Sequence, residues 1–379
     1  MQLIAKTFHG LEQILAQEIK EIGGQEIEVL NRAVSFNGDK EVLYRANYEL
    51  RTALRIIQPI YKFQARSERV LTHKILSYNW AKHLNVKQTF AIDSVANSRY
   101  FKHSKYLALK VKDGIVDQFR KKEGIRPDVD VYEPDVRFNV HVFDENFTIS
   151  IDTSGQSLHR RGYRIQGHEA PLNEVLAAGM VALSGWKKEQ PLYDLMCGSG
   201  TILFEAAMKG ANIAPGKHRS GKYGFMYASD FDQDLWNKIV KENTNKEDKS
   251  GLALFGNDIA PISISICEES ADRLGLEDVM KFQRLNFKKA TPETTEPGVI
   301  IMNPPYGERL KEDAIEEMYK ALGDQFKTEF SGFDAYVFSS NIKALKRVGL
   351  RPSRKIPLFN GPFDCRMMKF ELYRGTRKV

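Results

Sequence analysis

Apolar residues in the first fifty positions alternate between two spacings. Short apolar runs at residues 3–5 and 33–36 predict strands, because their length and alternation suit a partly buried extended segment. Apolar positions between residues 11–19 and 42–50 instead recur every three or four residues and predict amphipathic helices. The pattern therefore predicts a small α+β unit over residues 1–50.

The next hundred residues mix basic and aromatic side chains, most densely over residues 99–106. Four apolar residues recur four apart and predict one buried face of a helix: Leu107, Val111, Ile115 and Phe119. We expect Lys105 and Lys112 to face solvent on the same helix. Alternating runs over 136–142 and 147–151 flank a polar turn and predict a hairpin. Residues 51–155 are thus predicted to form a second α+β domain, followed by a linker over 156–170.

The C-terminal part, residues 171–379, alternates apolar runs with helical periodicity. The runs that predict strands are 191–196, 252–258, 281–286, 299–302, 335–338 and 366–372. Helical spacing lies between several of them, over 172–183, 202–207 and 259–274. Strands that alternate with helices are typical of a Rossmann-like α/β sheet. The charged stretch over 209–249 resembles an insertion into this pattern.

Composition narrows the class of protein only modestly. The chain has 379 residues, of which 42% are hydrophobic and 28% charged, with a net charge of +7. This length predicts two to three soluble domains, and the mild excess of basic residues favours a polyanionic partner. No apolar run approaches the ~20 residues that a membrane helix needs. Three widely spaced cysteines predict a reduced, cytoplasmic setting and no bound metal.

A glycine-rich bend follows the predicted strand that ends near Asp194. The segment continues through Cys197, Gly198 and Gly200 into a helix that begins near Thr201. Strand, glycine bend and helix N-terminus form the layout of a nucleotide site. A carboxylate beside the bend would repel phosphate but could bind the α-ammonium of an amino acid. S-adenosylmethionine joins an amino acid to a nucleoside, so this chemistry favours it over NAD.

A nucleoside cofactor also needs an acceptor for its ribose hydroxyls at the end of the next strand. Asp258 is the preferred candidate, and Asp230 and Asp232 are its rivals. Asn286, at the end of the third predicted strand, could accept a hydrogen bond from the adenine amine.

The fourth strand ends in Asn303-Pro304-Pro305-Tyr306. The prolines force a turn that presents the Asn303 side chain and the Pro304 carbonyl, both acceptors for an exocyclic NH₂ group. Tyr306 offers a plane on which a base could stack. The alternative is that Asn-Pro-Pro is only a turn.

This tetrapeptide resembles the Asn/Asp-Pro-Pro-Tyr/Phe signature of S-adenosylmethionine-dependent amino-methyltransferases that act on bases in nucleic acid. The order of the four strands is similar to that of a class I methyltransferase. The N-terminal half resembles a ferredoxin-like unit followed by a THUMP domain, which is an RNA-binding module. The whole chain thus resembles bacterial THUMP-containing enzymes that make N2-methylguanine in large-subunit ribosomal RNA.

The resemblance implies a role for each motif. Asn303, Pro304, Pro305 and Tyr306 would hold the target amine, and Gly307-Glu308-Arg309 also matches the family. The residues implied to bind S-adenosylmethionine are Asp194, Cys197, Gly198, Gly200, Thr201, Asp258, Asn286 and Asn303. The implied partner is 23S ribosomal RNA or a ribosomal precursor, with tRNA as a further option. An adenine-N6 DNA methyltransferase and a catalytically silent RNA-binding assembly factor are the alternatives.

Two basic segments are further candidates for contacts with phosphate. The junction over 157–164 carries three arginines, which could hold phosphate or equally pair with carboxylates as a tether. Six basic residues over 343–355, with no acidic residue among them, could bind an RNA backbone or form a solvated helix and loop.

Overall fold

The computed structural model describes residues 1–164, 172–305 and 312–373, which divide into two compact units. The first unit contains Met1–Thr7, Ala16–Arg160 and Ser220–Ile239. The second contains the described residues of Phe8–Leu15, Arg161–Arg219 and Val240–Val379. Among the described residues, no helix is both long and apolar enough to cross a membrane.

The first 160 residues supply eight strands and four helices. The strands are β1 (Gln2–Lys6), β2 (Gln25–Leu30), β3 (Ala33–Asn37), β4 (Arg55–Gln64), β5 (Thr89–Asn97), β6 (Asp128–Val129), β7 (Val136–Phe143) and β8 (Asn146–Asp152). The helices are α1 (Glu12–Glu21), α2 (Lys40–Glu49), α3 (Glu68–Ser77) and α4 (Ser104–Glu123). A short 3₁₀ turn, Trp80–Lys82, follows α3.

All eight strands belong to one sheet, in the order β2-β3-β1-β4-β8-β7-β5-β6. The long strand β4 pairs with β1 near its start, where Ile57 lies opposite Ile4, and with β8 along most of its length. The ferredoxin-like and THUMP-like patterns of the sequence therefore share one continuous sheet through β4.

The helix stripe predicted for this part is confirmed. Leu107, Val111, Ile115 and Phe119 are all buried on α4, in one apolar cluster with α3, β7 and β8. Gly124 ends α4 in the left-handed conformation, with φ of 75°, which glycine adopts without steric cost. The predicted hairpin is also confirmed, since β7 and β8 pair antiparallel. On the predicted solvent face Lys105 is exposed, whereas Lys112 is half-buried and pairs with Asp113.

The described residues after 160 form a second sheet and six helices. Its strands are β9 (Leu192–Asp194), β10 (Leu254–Asp258), β11 (Met280–Arg284), β12 (Val299–Met302), β13 (Asp334–Ser339), β14 (Arg354–Asn360) and β15 (Phe363–Glu371). Its helices are α5 (Glu174–Ser184), α6 (Thr201–Gly210), α7 (Gln233–Asn245), α8 (Pro261–Leu274), α9 (Glu312–Glu329) and α10 (Ile342–Arg347). Short 3₁₀ turns lie at Gly224–Tyr227 and Phe287–Lys289.

The second sheet has the order β11-β10-β9-β12-β13-β15-β14. Strands β9 to β13 run parallel, and β15 is antiparallel to both β13 and β14. All four residues of β12 are buried, as expected for a continuous apolar run in the middle of a parallel sheet. The predicted α/β class, with an α+β N-terminal part, is confirmed.

Two segments differ from the sequence interpretation. The basic run over 343–355 is not only helix and loop, because its last two residues begin β14. The apparent insertion over 209–249 has the expected loop-like stretches but also holds the thirteen-residue helix α7. Moreover, Ser220–Ile239 from this insertion belongs to the first unit rather than to the second.

Candidate active site at the carboxyl edge of the second sheet

Three neighbouring parallel strands bring the predicted site residues to one edge. Tyr193 of β9 pairs with Ile300 of β12, and Asp194 pairs with Gly256 of β10. Asp258 and Asn303 lie two or three residues beyond these partners in the same direction. A rise of ~3.3 Å per residue and a strand spacing of ~4.8 Å place both within roughly 10 Å of the end of β9.

The glycine bend after β9 is built from two left-handed glycines. Gly198 has φ of 53° and Gly200 has φ of 75°. A Cβ on Gly200 would lie 2.8 Å from Cε2 of Phe204 and 2.9 Å from Sγ of Cys267, whereas a Cβ on Gly198 would meet open space. Only glycine thus fits at 200 without strain, and Gly198 leaves its backbone accessible to a ligand.

Asp258 is tied directly to the bend. Its Oδ2 accepts a hydrogen bond from the backbone N–H of Gly198 at 3.0 Å, and its Oδ1 accepts from that of Ala260 at 2.8 Å. Its rivals belong to the first unit. Asp230 pairs there with Lys40 and is 74% exposed, and Asp232 caps a turn by accepting from Leu235 N–H. Geometry therefore favours Asp258 for the ribose role.

Asp194 is a buried acid without a cationic partner among the described residues. Its side chain is 2% exposed and accepts one hydrogen bond, from the backbone N–H of Met196 at 3.2 Å. Burial, together with the nearby charge of Asp258, raises the pKa of Asp194 to about 8. Such a carboxyl group suits an ammonium ligand, which would restore its charge. The buried Asp194 carboxyl group therefore fits the α-ammonium group of S-adenosylmethionine.

Asn303 ends the fourth strand of the predicted series. The residue is half-buried, and its Oδ1 is fully buried with no hydrogen-bond partner among the described residues. A buried acceptor without a donor costs roughly 1–3 kcal/mol, so a ligand that donates a hydrogen bond to this oxygen would be stabilised. Pro304 is buried and Pro305 is exposed. Tyr306 and Gly307-Glu308-Arg309 lie outside the described residues.

Two further predicted cofactor residues lie at the bend and after the edge strand β11. Cys197 donates its backbone N–H to the Asn257 carbonyl at 2.9 Å, and its thiol is buried against Cys267, which raises its pKa well above the usual value. Asn286 lies two residues beyond β11, where its Oδ1 accepts from the Lys288 N–H at 3.0 Å. That oxygen has a second lone pair, so it keeps the capacity to accept one more hydrogen bond.

Two of the three junction arginines, Arg161 and Arg164, pair with carboxylates. Arg161 is 2% exposed and pairs with Glu205 of α6, with Nε 3.4 Å from Oε1. The Tyr163 hydroxyl donates to the same Glu205 oxygen at 3.2 Å. Burial of an Arg with its carboxylate leaves no guanidinium for phosphate, so the phosphate alternative is wrong for Arg161.

Arg164 links the junction to the start of α6. Its Nη2 donates to Thr201 Oγ1 at 3.2 Å, and its Nε lies 3.2 Å from Oε1 of Glu174. Burial raises the pKa of Glu174 to about 7, although Arg164 opposes this shift. The sequence singled out Thr201 but not Glu174, which looked like an ordinary helix-start acid. Only the fold shows that it is 3% exposed.

Two acidic residues of α9 partly neutralise the basic run over 343–355. Lys343 pairs with Glu312 at 3.2 Å, and Arg347 pairs with Glu316. Within the described parts of the chain, no cluster of three or more His, Cys, Asp or Glu side chains could hold a metal ion.

Comparisons with known families match three successive segments. The family model described as RMKL-like methyltransferase domain matches residues 161–369. The RlmL ferredoxin-like domain matches residues 2–57, and the THUMP domain matches residues 65–152.

Individual relatives match almost the entire chain. A Synechocystis sp. protein provisionally named an RNA methyltransferase, slr0064, is 38% identical over 97% of this chain and 96% of its own length. The ribosomal RNA large subunit methyltransferase K/L of Photobacterium profundum is 35% identical over all of this chain. This chain covers 54% of that relative, and so spans about half the length of the K/L proteins that it matches.

Two solved structures are also similar to this chain along nearly its whole length. SMU.472, provisionally named a methyltransferase and crystallised with S-adenosylhomocysteine, is 27% identical with a TM-score of 0.88 over 99% of both chains. A Listeria monocytogenes protein named as a predicted N6-adenine-specific DNA methylase is 30% identical with a TM-score of 0.87, over 98% of this chain and 96% of its own.

Proposed function

Because this chain belongs to the RMKL-like methyltransferase family, we propose that it methylates an exocyclic base amine of RNA, namely guanine N2 of large-subunit ribosomal RNA. S-adenosylmethionine is the methyl donor, and it supplies an electrophilic methyl group when bound. Support for the RNA substrate comes from the THUMP match and from the names of the K/L relatives. The substrate RNA could be a ribosomal precursor, and tRNA is the other candidate substrate within the same proposal.

The buried, unpartnered Oδ1 of Asn303 is the observation that carries the proposal. An exocyclic amine donates two N–H groups, and one of them would satisfy this oxygen. The Pro304 carbonyl is the second acceptor expected from the sequence. Two acceptors hold the amine in place and increase electron density on its nitrogen, which is otherwise a weak nucleophile because its lone pair is conjugated with the ring.

The donor site is proposed to consist of Asp194, the 198–200 bend and Asp258. Asp194 would bind the α-ammonium group, and the backbone N–H groups in the first turn of α6 would bind the carboxylate. Asp258 would accept from the ribose hydroxyls while it holds the Gly198 N–H. Cys197 and Thr201 would line this site, and Asn286 would accept from the adenine amine with the second lone pair of its Oδ1, since the first accepts the Lys288 N–H. Tyr306 as a stacking platform remains a prediction.

The decisive variant is Asn303→Ala, compared with Asn303→Asp. Loss of the acceptor should lower methyl transfer by about 10²–10³-fold, the effect typical of a group that stabilises the reacting centre. Binding of S-adenosylmethionine, measured by calorimetry, should persist in both variants. Asn303→Asp keeps an acceptor oxygen and should retain more activity than Asn303→Ala. Unchanged turnover in Asn303→Ala would refute the assigned role.

The substrate class is tested with the same wild-type protein. Labelled methyl incorporation into undermethylated ribosomal RNA, tRNA and duplex DNA should be highest for ribosomal RNA, and nucleoside mass spectrometry should identify N2-methylguanosine. Preferential methylation of duplex DNA would instead establish the adenine-N6 activity for which the Listeria protein is named. Failure to bind S-adenosylmethionine would favour a silent assembly factor.

A further inference from the structure

The first unit contains a cavity of about 430 Å³ that is separate from the candidate active site. Its walls come from three stretches of the sequence: residues 1–44, residues 58–153, and the Ser220–Ile239 part of the insertion. Exposed residues such as Lys82, Asn85 and Ala228 line it, so it opens to the surface. Its volume lies in the range of small-ligand sites, ~300–1,000 Å³.

Side-chain contacts within the unit fix the insertion as one wall of this cavity. Lys40 Nζ lies 3.0 Å from the Asp230 carboxylate, and the Tyr44 hydroxyl accepts the Asp232 N–H at 2.9 Å. Gln88 Nε2 donates to the Tyr227 carbonyl at 2.8 Å. Tyr44 also stacks on Phe225, with ring centroids 4.4 Å apart. Each of the other two walls is therefore tied to the insertion, as expected of a built site rather than a packing defect.

The polar side chains that line the cavity suit a neutral heterocyclic base attached to a negatively charged phosphate backbone. Gln58 makes no side-chain hydrogen bond to any described residue, so its C=O and NH₂ are both available. Together they form the acceptor and donor pair that can read the edge of a base. Asn85 uses its Oδ1 for the Lys87 N–H, which leaves its amide NH₂. His83 lies beside them, and its Nε2 is 2.8 Å from the Tyr78 hydroxyl.

The charge at the cavity points the same way. Lys40 and Lys82 are the lysines of the lining and Asp230 is its carboxylate. Since Lys40 is paired with Asp230, the ammonium group of Lys82 is left uncompensated and exposed at the opening. A positive charge at Lys82, close to the carboxamides of Gln58 and Asn85, fits a phosphate and the base attached to it.

We propose that this cavity binds one unpaired nucleotide of the RNA substrate, with the base against Gln58 and Asn85 and its phosphate at Lys82. The inference rests on the proposed RNA substrate. Single-stranded nucleotides are the usual targets of base-specific RNA contacts, because an unstacked base exposes its edges. The cavity would thus hold the RNA at a point other than the base that is methylated.

The test compares Gln58→Leu with Gln64→Leu, a control on the same strand whose side chain bonds Asn146 outside the cavity. The probe is a large-subunit rRNA transcript containing 4-thiouridine. Gln58→Leu should weaken its binding about tenfold, as expected for loss of one base-edge contact, while Gln64→Leu binds like wild type. Crosslinked peptides should include residues 81–88 or 224–230. Circular dichroism checks that both variants fold.

A second variant tests the phosphate contact. Lys82→Gln should reduce the slope of log affinity against log salt by about one, whereas Lys20→Gln, exposed on α1, should leave it unchanged. Wild-type affinity in Gln58→Leu, with crosslinks elsewhere, overturns the cavity proposal even if methylation is normal. Conversely, cavity crosslinks without methylation of any RNA would overturn the proposed function and leave this site standing.

Discussion

Replacement of Asp194 by Asn should stabilise the cofactor-free protein while it abolishes cofactor binding. The carboxyl group is 2% exposed and has a pKa of about 8 against an ordinary value of 3.8, chiefly because of burial and secondarily because of Asp258. Asn has nearly the same shape but cannot ionise. The variant therefore removes the cost of a buried charge and also removes the partner proposed for the α-ammonium group.

The pH dependence follows from the direction of the shift. The pKa of Asp194 is higher in the folded protein than in the unfolded chain. The neutral carboxyl group therefore contributes its full stability below the unfolded-state pKa, and this stability is lost as the pH rises towards about 8. At ~1.4 kcal/mol per pKa unit, wild type should lose roughly 3–4 kcal/mol relative to Asp194→Asn between about pH 5 and pH 8. At pH 5 the two proteins should differ much less.

Urea unfolding at several pH values measures this difference, with Asp272→Asn on the exposed face of α8 as the control. Calorimetry in buffers of different ionisation enthalpy should show release of about one proton when S-adenosylmethionine binds wild type at pH 6–7, because the ligand ionises Asp194. Parallel pH profiles of wild type and Asp194→Asn, or cofactor binding that is unchanged in the variant, would refute the reasoning.

Two further predictions concern the bend and the junction. Gly200→Ala should lower cofactor affinity and stability more than Gly251→Ala. Both positions have φ near 75°, but only at 200 does a Cβ meet other atoms within 4 Å. Equal losses of cofactor affinity in calorimetry and of stability in thermal melts would contradict the steric argument. Arg161→Leu should cost about 3–5 kcal/mol by leaving Glu205 charged and buried, and the double variant Arg161→Leu/Glu205→Leu should recover most of this loss in urea unfolding. A double variant no more stable than the single one would contradict that explanation.

Sequence periodicity predicted most elements because burial follows it closely. The α4 stripe and the all-apolar β12 each have one arrangement that hides their apolar residues. Strand β2 was missed because its polar–apolar alternation covers only four residues, 26–29, and nearly all of the strand is exposed. Strand β14 was missed for a related reason, since its basic first residues hid the strand that follows.

The candidate site could be predicted only as a set of motifs. In the sequence, Asp194 precedes two glycines and Asn303 precedes two prolines. The parallel strands then bring these two motifs to the carboxyl edge of the second sheet. The high pKa of Asp194 and the buried oxygen of Asn303 depend on three-dimensional surroundings that no short motif encodes. The same is true of Glu174, whose burial against Arg164 joins residues on different elements.

Strand β4 makes the boundary near residue 50 a poor place to divide the chain. A fragment that ends there would leave the β1 backbone groups that pair with Arg55, Ile56 and Ile57 exposed, and a fragment that begins beyond β4 would do the same to β8. Unpaired strand edges recruit other chains, so either piece should self-associate. Researchers who wish to study RNA capture in isolation should keep residues 1–160 together and retain Ser220–Ile239, which belongs to the same unit and lines the cavity.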